Sequence, residues 1–357
     1  MQQNGNHQPN PWQDKRVLVT GVCGTVGREL FTQIRTMAPE FILGLDNNES
    51  ELFFIDDEFR NDPVVRFQLG DMRDRDKLTQ AMQGVDIVLH TAALKHVILC
   101  EQSPQDAIQT NIQGVQNIID AANANGVERV IFTSSDKAVN PTNVMGTSKL
   151  MGERLMTAAN AHRRAGGPIF ASTRFGNVLG SRGSVIPIFQ RQIERGGPVT
   201  LTDTRMTRFI MTLSEAVRLV MESTFLAQGG EVFVTKMPVV RIEDLARVML
   251  RELAPQHGFD PAGIGIDVIG SKPGEKLYEE LMNDEETRRT VELQDYFVVL
   301  PAFQALYETI DYNYPTVVAD RIDDPYNSAT RPAMSQDEVR AFLIRHQLLQ
   351  EGEACVS

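Results

Sequence analysis

Six short apolar runs recur along the first half of the chain, each separated from the next by a stretch with helical spacing. No other feature constrains the fold as tightly. The runs are RVLVT at 16–20, FILGL at 41–45, VVRFQL at 64–69, DIVLH at 86–90, VERVIFTS at 127–134 and PIFASTRF at 168–175. Hydrophobicity within them is largely continuous rather than alternating, which is the pattern of strands buried on both faces. Such strands, interleaved with helices, predict an α/β fold with a doubly wound parallel sheet. No internal repeat of solenoid length is visible.

The turn after the first run sharpens this reading. Gly21, Gly24 and Gly27 form G-x-x-G-x-x-G between the first strand and the helix-patterned stretch 25–36. In that context glycines let a pyrophosphate approach backbone N–H groups at a helix N-terminus, so the sheet is Rossmann-like and the loop, with Thr25 and Val26, is a candidate dinucleotide site. Asp46 ends the second strand, 25 residues after Gly21, where a carboxylate accepts from the adenosine ribose hydroxyls and repels a 2′-phosphate. With Asn47 and Asn48 following and no Arg beside it, NAD is expected rather than NADP. Asp71 and Met72 lie past the third strand and Ala92 and Ala93 past the fourth, all at the cofactor edge. Asp71 suits the adenine amino group, with the N-cap of the next helix as the competing reading.

Composition narrows the partners. Lys plus Arg number 35 against 47 Asp plus Glu, a net charge of −12 and an acidic pI near 5.1. That field opposes nucleic acid or an anionic membrane, so a bound phosphate must be held locally. Cys23, Cys100 and Cys355 are odd in number and widely spread, suggesting neither a disulfide framework nor a metal knuckle. The opening MQQNGNHQPNPWQ is polar and no long uncharged apolar run occurs, so a cytoplasmic protein is expected. The expected organisation is a disordered tail over 1–13, a dinucleotide-binding domain over 14–178, and a smaller, partly irregular domain over 179–357. The last of these holds helices at about 213–228 and 241–254 and a C-terminal helix N-capped by Ser335. The final EGEACVS should fray.

Chemistry concentrates after the fifth strand, in TSSDKAVNPTNVMGTSK at 133–149. Hydroxyl, acid and amine functions gather there, at the edge where open α/β sheets place their sites. Met145 and Lys149 are four apart and share a helix face.

Here the chain resembles the extended short-chain dehydrogenase/reductases that dehydrate UDP-N-acetylglucosamine at C4 and C6, of the polysaccharide-biosynthesis and flagellin-glycosylation type. Six collinear segments carry the resemblance: VLVTGVCGTVGREL, HTAALKHV, SSDKAVNPTNVMGTSK, TRFGNVLGSRGSVIPIF, MTRFIMT and GSKPGEKLYEEL. Met145 stands where the superfamily carries Tyr, which resembles a Ser-Met-Lys variant within this group. The resemblance implies a captive NAD, oxidation at C4, loss of water across C5 and C6, and return of hydride to C6. It implies Asp136 as the acid near O6 and Lys137 as the base at C5. Ser135 would bond O4, and Lys149 would hold the nicotinamide ribose. To act as a base Lys137 must be neutral part of the time, which calls for burial or a nearby cation such as Lys149.

By the same resemblance Lys95 and His96 line the sugar side, while Asn177, Arg182 and Arg208 contact the diphosphate. Lys272 stands where Arg is usual, and Glu275 would accept from the uridine ribose. Glu275 and Lys276 also read as the first turn of an amphipathic helix EKLYEELM. Ile98 stands where the family carries Pro. A homo-oligomer is implied, paired through helices at about 103–125 and 146–165. A UDP-sugar 4-epimerase and a catalytically silent dinucleotide sensor remain as alternatives, and the sequence leaves open which face of the sugar C5 is reprotonated.

Overall fold

The structure, a computed structural model, describes residues 10–161, 166–181, 184–270, 274–303 and 310–349. Arg182, Lys272, Cys355 and the terminal EGEACVS lie outside them. The six runs form strands β1 Arg16–Thr20, β2 Phe41–Asp46, β3 Val65–Leu69, β4 Ile87–His90, β5 Arg129–Ser135 and β6 Ile169–Phe175. The chain returns to this sheet after residue 178 with β7 Val232–Thr235, β8 Thr290–Leu293, β9 Tyr296–Val299 and β10 Val317–Ala319. The order across the ten strands is β10-β8-β9-β7-β6-β5-β4-β1-β2-β3. Pairing is parallel from β3 to β7 and antiparallel from β7 to β10.

Burial on both faces is what the continuous hydrophobicity encodes. Val17 and Val19 point into one core with Leu30, Phe31 and Ile34 of helix Thr25–Thr36 and Val217 and Val220 of helix Leu213–Leu226. Leu18 points into the other with Leu78, Ile118 and Met156, from helices Arg75–Ala81, Gly114–Asn125 and Val144–Ala161. The sheet is therefore doubly wound. Strand order reverses between β1 and β4, so the carboxyl ends there border the crevice in which such sheets bind ligands.

The remaining elements cover that edge. Asn177–Val178, Thr207–Met211 and Val239–Arg241 make a three-stranded sheet, and Glu280–Met282 pairs with Tyr326–Asn327. A separate core lies among helices Val185–Glu194, Ile242–Leu253 and Gln336–Arg345. Ser335 caps the last of these in a reciprocal box with Glu338, as its position in the sequence implies. Trp12, placed by composition in a polar tail, is instead buried edge-on to Phe225 at 4.9 Å.

Candidate active site

The glycine loop is built by crowding. Gly21 has φ +74°, and a Cβ there would lie 2.6 Å from the Ala92 nitrogen. A Cβ on Gly27 would lie 2.2 Å from the Gly21 carbonyl oxygen. These two glycines press the loop against the segment after β4, bringing Ala92 and Ala93 to its side. Gly24 is different: it is exposed, it is the N-cap of helix Thr25–Thr36, no side chain caps that end, and a Cβ would meet only the Gly21 oxygen at 3.2 Å. Thr25 and Val26 open that helix. A twelve-residue helix with an uncapped N-terminus at an open glycine is a cradle that fits an anionic phosphate.

Asp46 braces this cradle. One carboxylate oxygen accepts from the Cys23 amide at 2.9 Å and the other from the Asn48 amide at 3.0 Å. Burial and the Asp46 charge push the Cys23 thiol up to about 12, so it stays protonated. Asp71 accepts two hydrogen bonds from the Arg73 guanidinium, at 2.9 and 2.6 Å, which hold its carboxyl below the usual range. The helix that follows is capped by Asp74 rather than Asp71. Met72 is buried, its carbonyl accepting from Asn117.

At the end of β5 the chain makes a short turn, Asp136–Ala138, with Ser135 as N-cap. Asp136 is 1% exposed. Its Oδ1 accepts from the Ser135 hydroxyl at 2.7 Å and from Lys137 Nζ at 3.0 Å, while Oδ2 is buried with no partner. Lys137 also faces Glu279 Oε1 at 3.5 Å. Burial alone would lower the Lys137 pKa, but Asp136 and Glu279 outweigh it and raise it above the ordinary lysine value. The cation acting on Lys137 is Arg208, not the Lys149 anticipated from sequence, and its lowering effect is overcome.

Lys149 is buried, donates to the Thr133 carbonyl at 2.9 Å and lies 4.7 Å from the Phe132 ring centre. Desolvation pulls its pKa down to about 8. Met145 is buried in a small apolar cluster with Cys100 and Ala107. A thioether carries no exchangeable proton, so this position performs no proton transfer. Gly146 next to it is required: a Cβ there would lie 2.2 Å from the Lys137 carbonyl oxygen, so the helix seats directly on the reactive turn.

Arg208 is buried on the strand Thr207–Met211 and donates to the carbonyls of Thr207, Lys276 and Leu277, with Glu275 at 3.8 Å and Glu279 at 3.6 Å. The residues 275–279 that accept from it form no helix, contrary to the amphipathic reading of EKLYEELM. Lys276 donates to the Val139 carbonyl at 2.7 Å, stitching this segment to the turn after β5. Asn177 pairs in register with Ile210 beside Arg208. Lys95 and His96 are exposed, His96 at the start of helix Val97–Gln102.

Two site residues escape sequence reading. Glu279 sits within a charged run with no spacing that marks it. Asn111 lies in a π-turn, Ile108–Gln113, and clamps both the nitrogen and the carbonyl of Leu94, at 2.8 and 2.9 Å, while donating to Ser148. Its only signal is the π-turn itself, a common mark of functional segments. Among the described residues no cluster could hold a metal ion, and no helix is long and apolar enough to cross a membrane.

Residues 17–301 match the family described as polysaccharide biosynthesis protein. The chain belongs to that family. It is 50% identical to an uncharacterized membrane protein of Methanocaldococcus jannaschii, over 82% of this chain and 87% of the relative. It is 34% identical to the UDP-N-acetylglucosamine 4,6-dehydratase (inverting) of Campylobacter jejuni, over 93% of this chain and 98% of the relative. A UDP-glucose 4-epimerase of Rickettsia conorii is 35% identical, over 95% and 98%. Among solved structures, Pen from Bacillus thuringiensis superposes with a TM-score of 0.88 at 39% identity, covering 95% of this chain and 99% of that one.

Proposed function

We propose that this family member removes water from UDP-N-acetylglucosamine, giving a UDP-4-keto-6-deoxy sugar, with NAD as the resident cofactor. The observation that carries the reading is the pair of buried Asp136 and half-buried Lys137 at the carboxyl end of β5, 3.0 Å apart and with one carboxylate oxygen unpartnered.

The dinucleotide would rest on the cradle at Gly24, with Gly21, Thr25, Val26 and Gly27 shaping it. Asp46 would meet the adenosine ribose and Asp71 the adenine, while Met72, Ala92 and Ala93 line the cleft. A carboxylate at Asp46 disfavours the 2′-phosphate of NADP. When bound, the nicotinamide supplies acceptance of hydride from C4 and its return to C6.

The chain's own residues move the protons. Passing the ammonium proton of Lys137 to Asp136 across their hydrogen bond leaves a neutral amine and a carboxylic acid, the two forms that elimination needs. The amine then takes the proton from C5, the acid gives its proton to the departing C6 hydroxyl, and the pair returns to ammonium and carboxylate. The ammonium gives a proton back to C5 as hydride reaches C6, and the amine regains one from solvent, matching the O4 proton released to solvent on oxidation. Ser135 would orient O4, and buried Lys149 would hold the nicotinamide ribose. Asn177, Arg208 and Glu275, with Lys95 and His96 at the rim, would position the UDP-sugar; Arg182 and Lys272 are expected from sequence to add charge there. A pair of this kind, without a phenol at position 145, favours elimination over the simple return of hydride to C4 that epimerisation requires.

Two outcomes check the cofactor assignment. Gly24→Ala should leave the unfolding midpoint near that of the parent yet weaken dinucleotide retention about tenfold or more, since the added methyl occupies the anion cradle. Gly21→Ala should instead lower stability, because a Cβ meets Ala92 backbone at φ +74°. Equal stability losses in both, with retention intact in Gly24→Ala, would contradict the assignment. Retention should also fall as pH rises through about 8, where Lys149 loses its charge. Equilibrium dialysis against NAD between neutral and alkaline pH reads this, and a flat profile would remove Lys149 from the site.

A further inference from the structure

Glu279 is a buried carboxylate in the reactive cluster that neither the glycine loop nor the Asp136–Lys137 turn supplies. It comes from the irregular segment after residue 274 and meets the cluster at Lys137 and Arg208. It is 2% exposed, its Oε1 faces Lys137 Nζ at 3.5 Å and Arg208 Nε at 3.6 Å, and its Oε2 is buried with no partner. Its backbone is fixed: the Glu279 amide donates to Ser328 Oγ at 2.9 Å, and the Ser328 amide returns a bond to the Glu279 carbonyl at 2.9 Å. A carboxylate is thus held in place rather than left to find solvent.

We propose that Glu279 is a positioning residue for Lys137, closing with Asp136 a two-carboxylate cradle that fixes the ammonium and sets the pH at which the amine becomes neutral. The charged groups facing the amine are Asp136 on its own turn, Glu279 on the covering segment and Arg208 on the strand beneath. Glu279 in turn feels Lys137, Asp136, Arg208 and Lys276, and burial raises its own carboxyl above the usual range. With two anions on one ammonium, removing one makes the proton easier to lose. Glu279 would therefore keep Lys137 charged in the resting protein and reserve the neutral amine for the moment its proton passes to Asp136.

The test reads Lys137 directly and needs no substrate. The full-length protein is reductively methylated with formaldehyde and cyanoborohydride across a pH series, and Lys137 modification is followed by peptide mass spectrometry, because only the neutral amine reacts. In Glu279→Gln the midpoint should fall by about one unit or more, a tenfold gain in neutral amine at fixed pH, with Lys236 unchanged as an internal control. Glu279→Asp, with the charge kept but the reach shortened, should fall between parent and Gln. A midpoint in Glu279→Gln equal to that of the parent overturns the proposal, as does an Asp variant displaced as far as the Gln one. If the Gln variant does not fold, an Asp variant with an unmoved midpoint overturns it alone. The consequence for turnover rests on the dehydratase reading: the alkaline limb of kcat, where the pair loses the proton it shares, should move down by the same amount in Glu279→Gln, with KM changed less than kcat. A labelling shift without any dehydration of UDP-N-acetylglucosamine would sink that reading and leave the role of Glu279 standing.

Discussion

Replacing Lys137 by alanine is expected to abolish water loss from the sugar nucleotide, lowering the rate by about 10²–10⁴-fold, the range for losing a positioned general acid or base. The same change leaves Asp136 and Glu279 buried without their shared cation. Glu279, already raised by burial and now without Lys137 to lower it, should then take up a proton, so the variant loses more stability at alkaline than at mildly acidic pH. Dinucleotide retention should persist, because the glycine cradle follows β1 and the lysine sits on the turn after β5. Product analysis by mass spectrometry, alongside retention of NAD, checks both halves. Full dehydration by Lys137→Ala would remove this residue from the chemistry.

The second large effect concerns stability. Arg174 on β6 is almost fully buried and donates two hydrogen bonds to Glu153, at 3.0 and 2.6 Å, two to Glu286, at 3.0 and 3.1 Å, and one to the Leu281 carbonyl at 2.8 Å. It thus joins the helix that carries Met145 and Lys149 to the segment that follows Glu279. Arg174→Met strands two buried carboxylates and should cost about 3–5 kcal/mol, the usual penalty for removing one partner of a buried ionic cluster. Burial raises the Glu286 carboxyl, but Arg174 outweighs it and holds the pKa below 4.5. Glu286 therefore contributes stability above that pH and loses it as pH falls through the depressed value. In the variant Glu286 loses the cation that holds it down and titrates higher, so the gap between parent and variant should narrow toward acid. Urea unfolding at neutral pH and near pH 4.5 reads this. An equal gap at both would show that the carboxylates are not what Arg174 holds. The triple change Arg174→Met, Glu153→Gln, Glu286→Gln should recover part of the loss.

Much of this architecture is written locally in the chain. The six apolar runs became strands within one or two residues at each end because burial on both faces leaves an unbroken apolar signature. The G-x-x-G-x-x-G turn was legible because backbone crowding at Gly21 and Gly27 admits no side chain. Helix 336–345 announced itself through Ser335 and Glu338. What failed was decided at long range. EKLYEELM has helical spacing, yet the carbonyls of Lys276 and Leu277 that a helix would use internally accept from Arg208, and the Lys276 amine reaches back to Val139. Glu279 is invisible for the same reason: its neighbours Lys137 and Arg208 come from a distant turn and a distant strand. Trp12 sits in a polar stretch and is buried only because Phe225 meets it from helix Leu213–Leu226. Lys137 was expected to need a lowered pKa, but the sequence could not show the second carboxylate that raises it.

Two electrons that leave C4 of the sugar and return to C6 after water departs can be followed with UDP-N-acetylglucosamine carrying deuterium at C4. The product should be lighter by one water, with a keto group at C4 and the deuterium in the new C6 methyl group, read by mass spectrometry and proton NMR. An isomer of unchanged mass with the deuterium back at C4 would contradict this route and identify an epimerase.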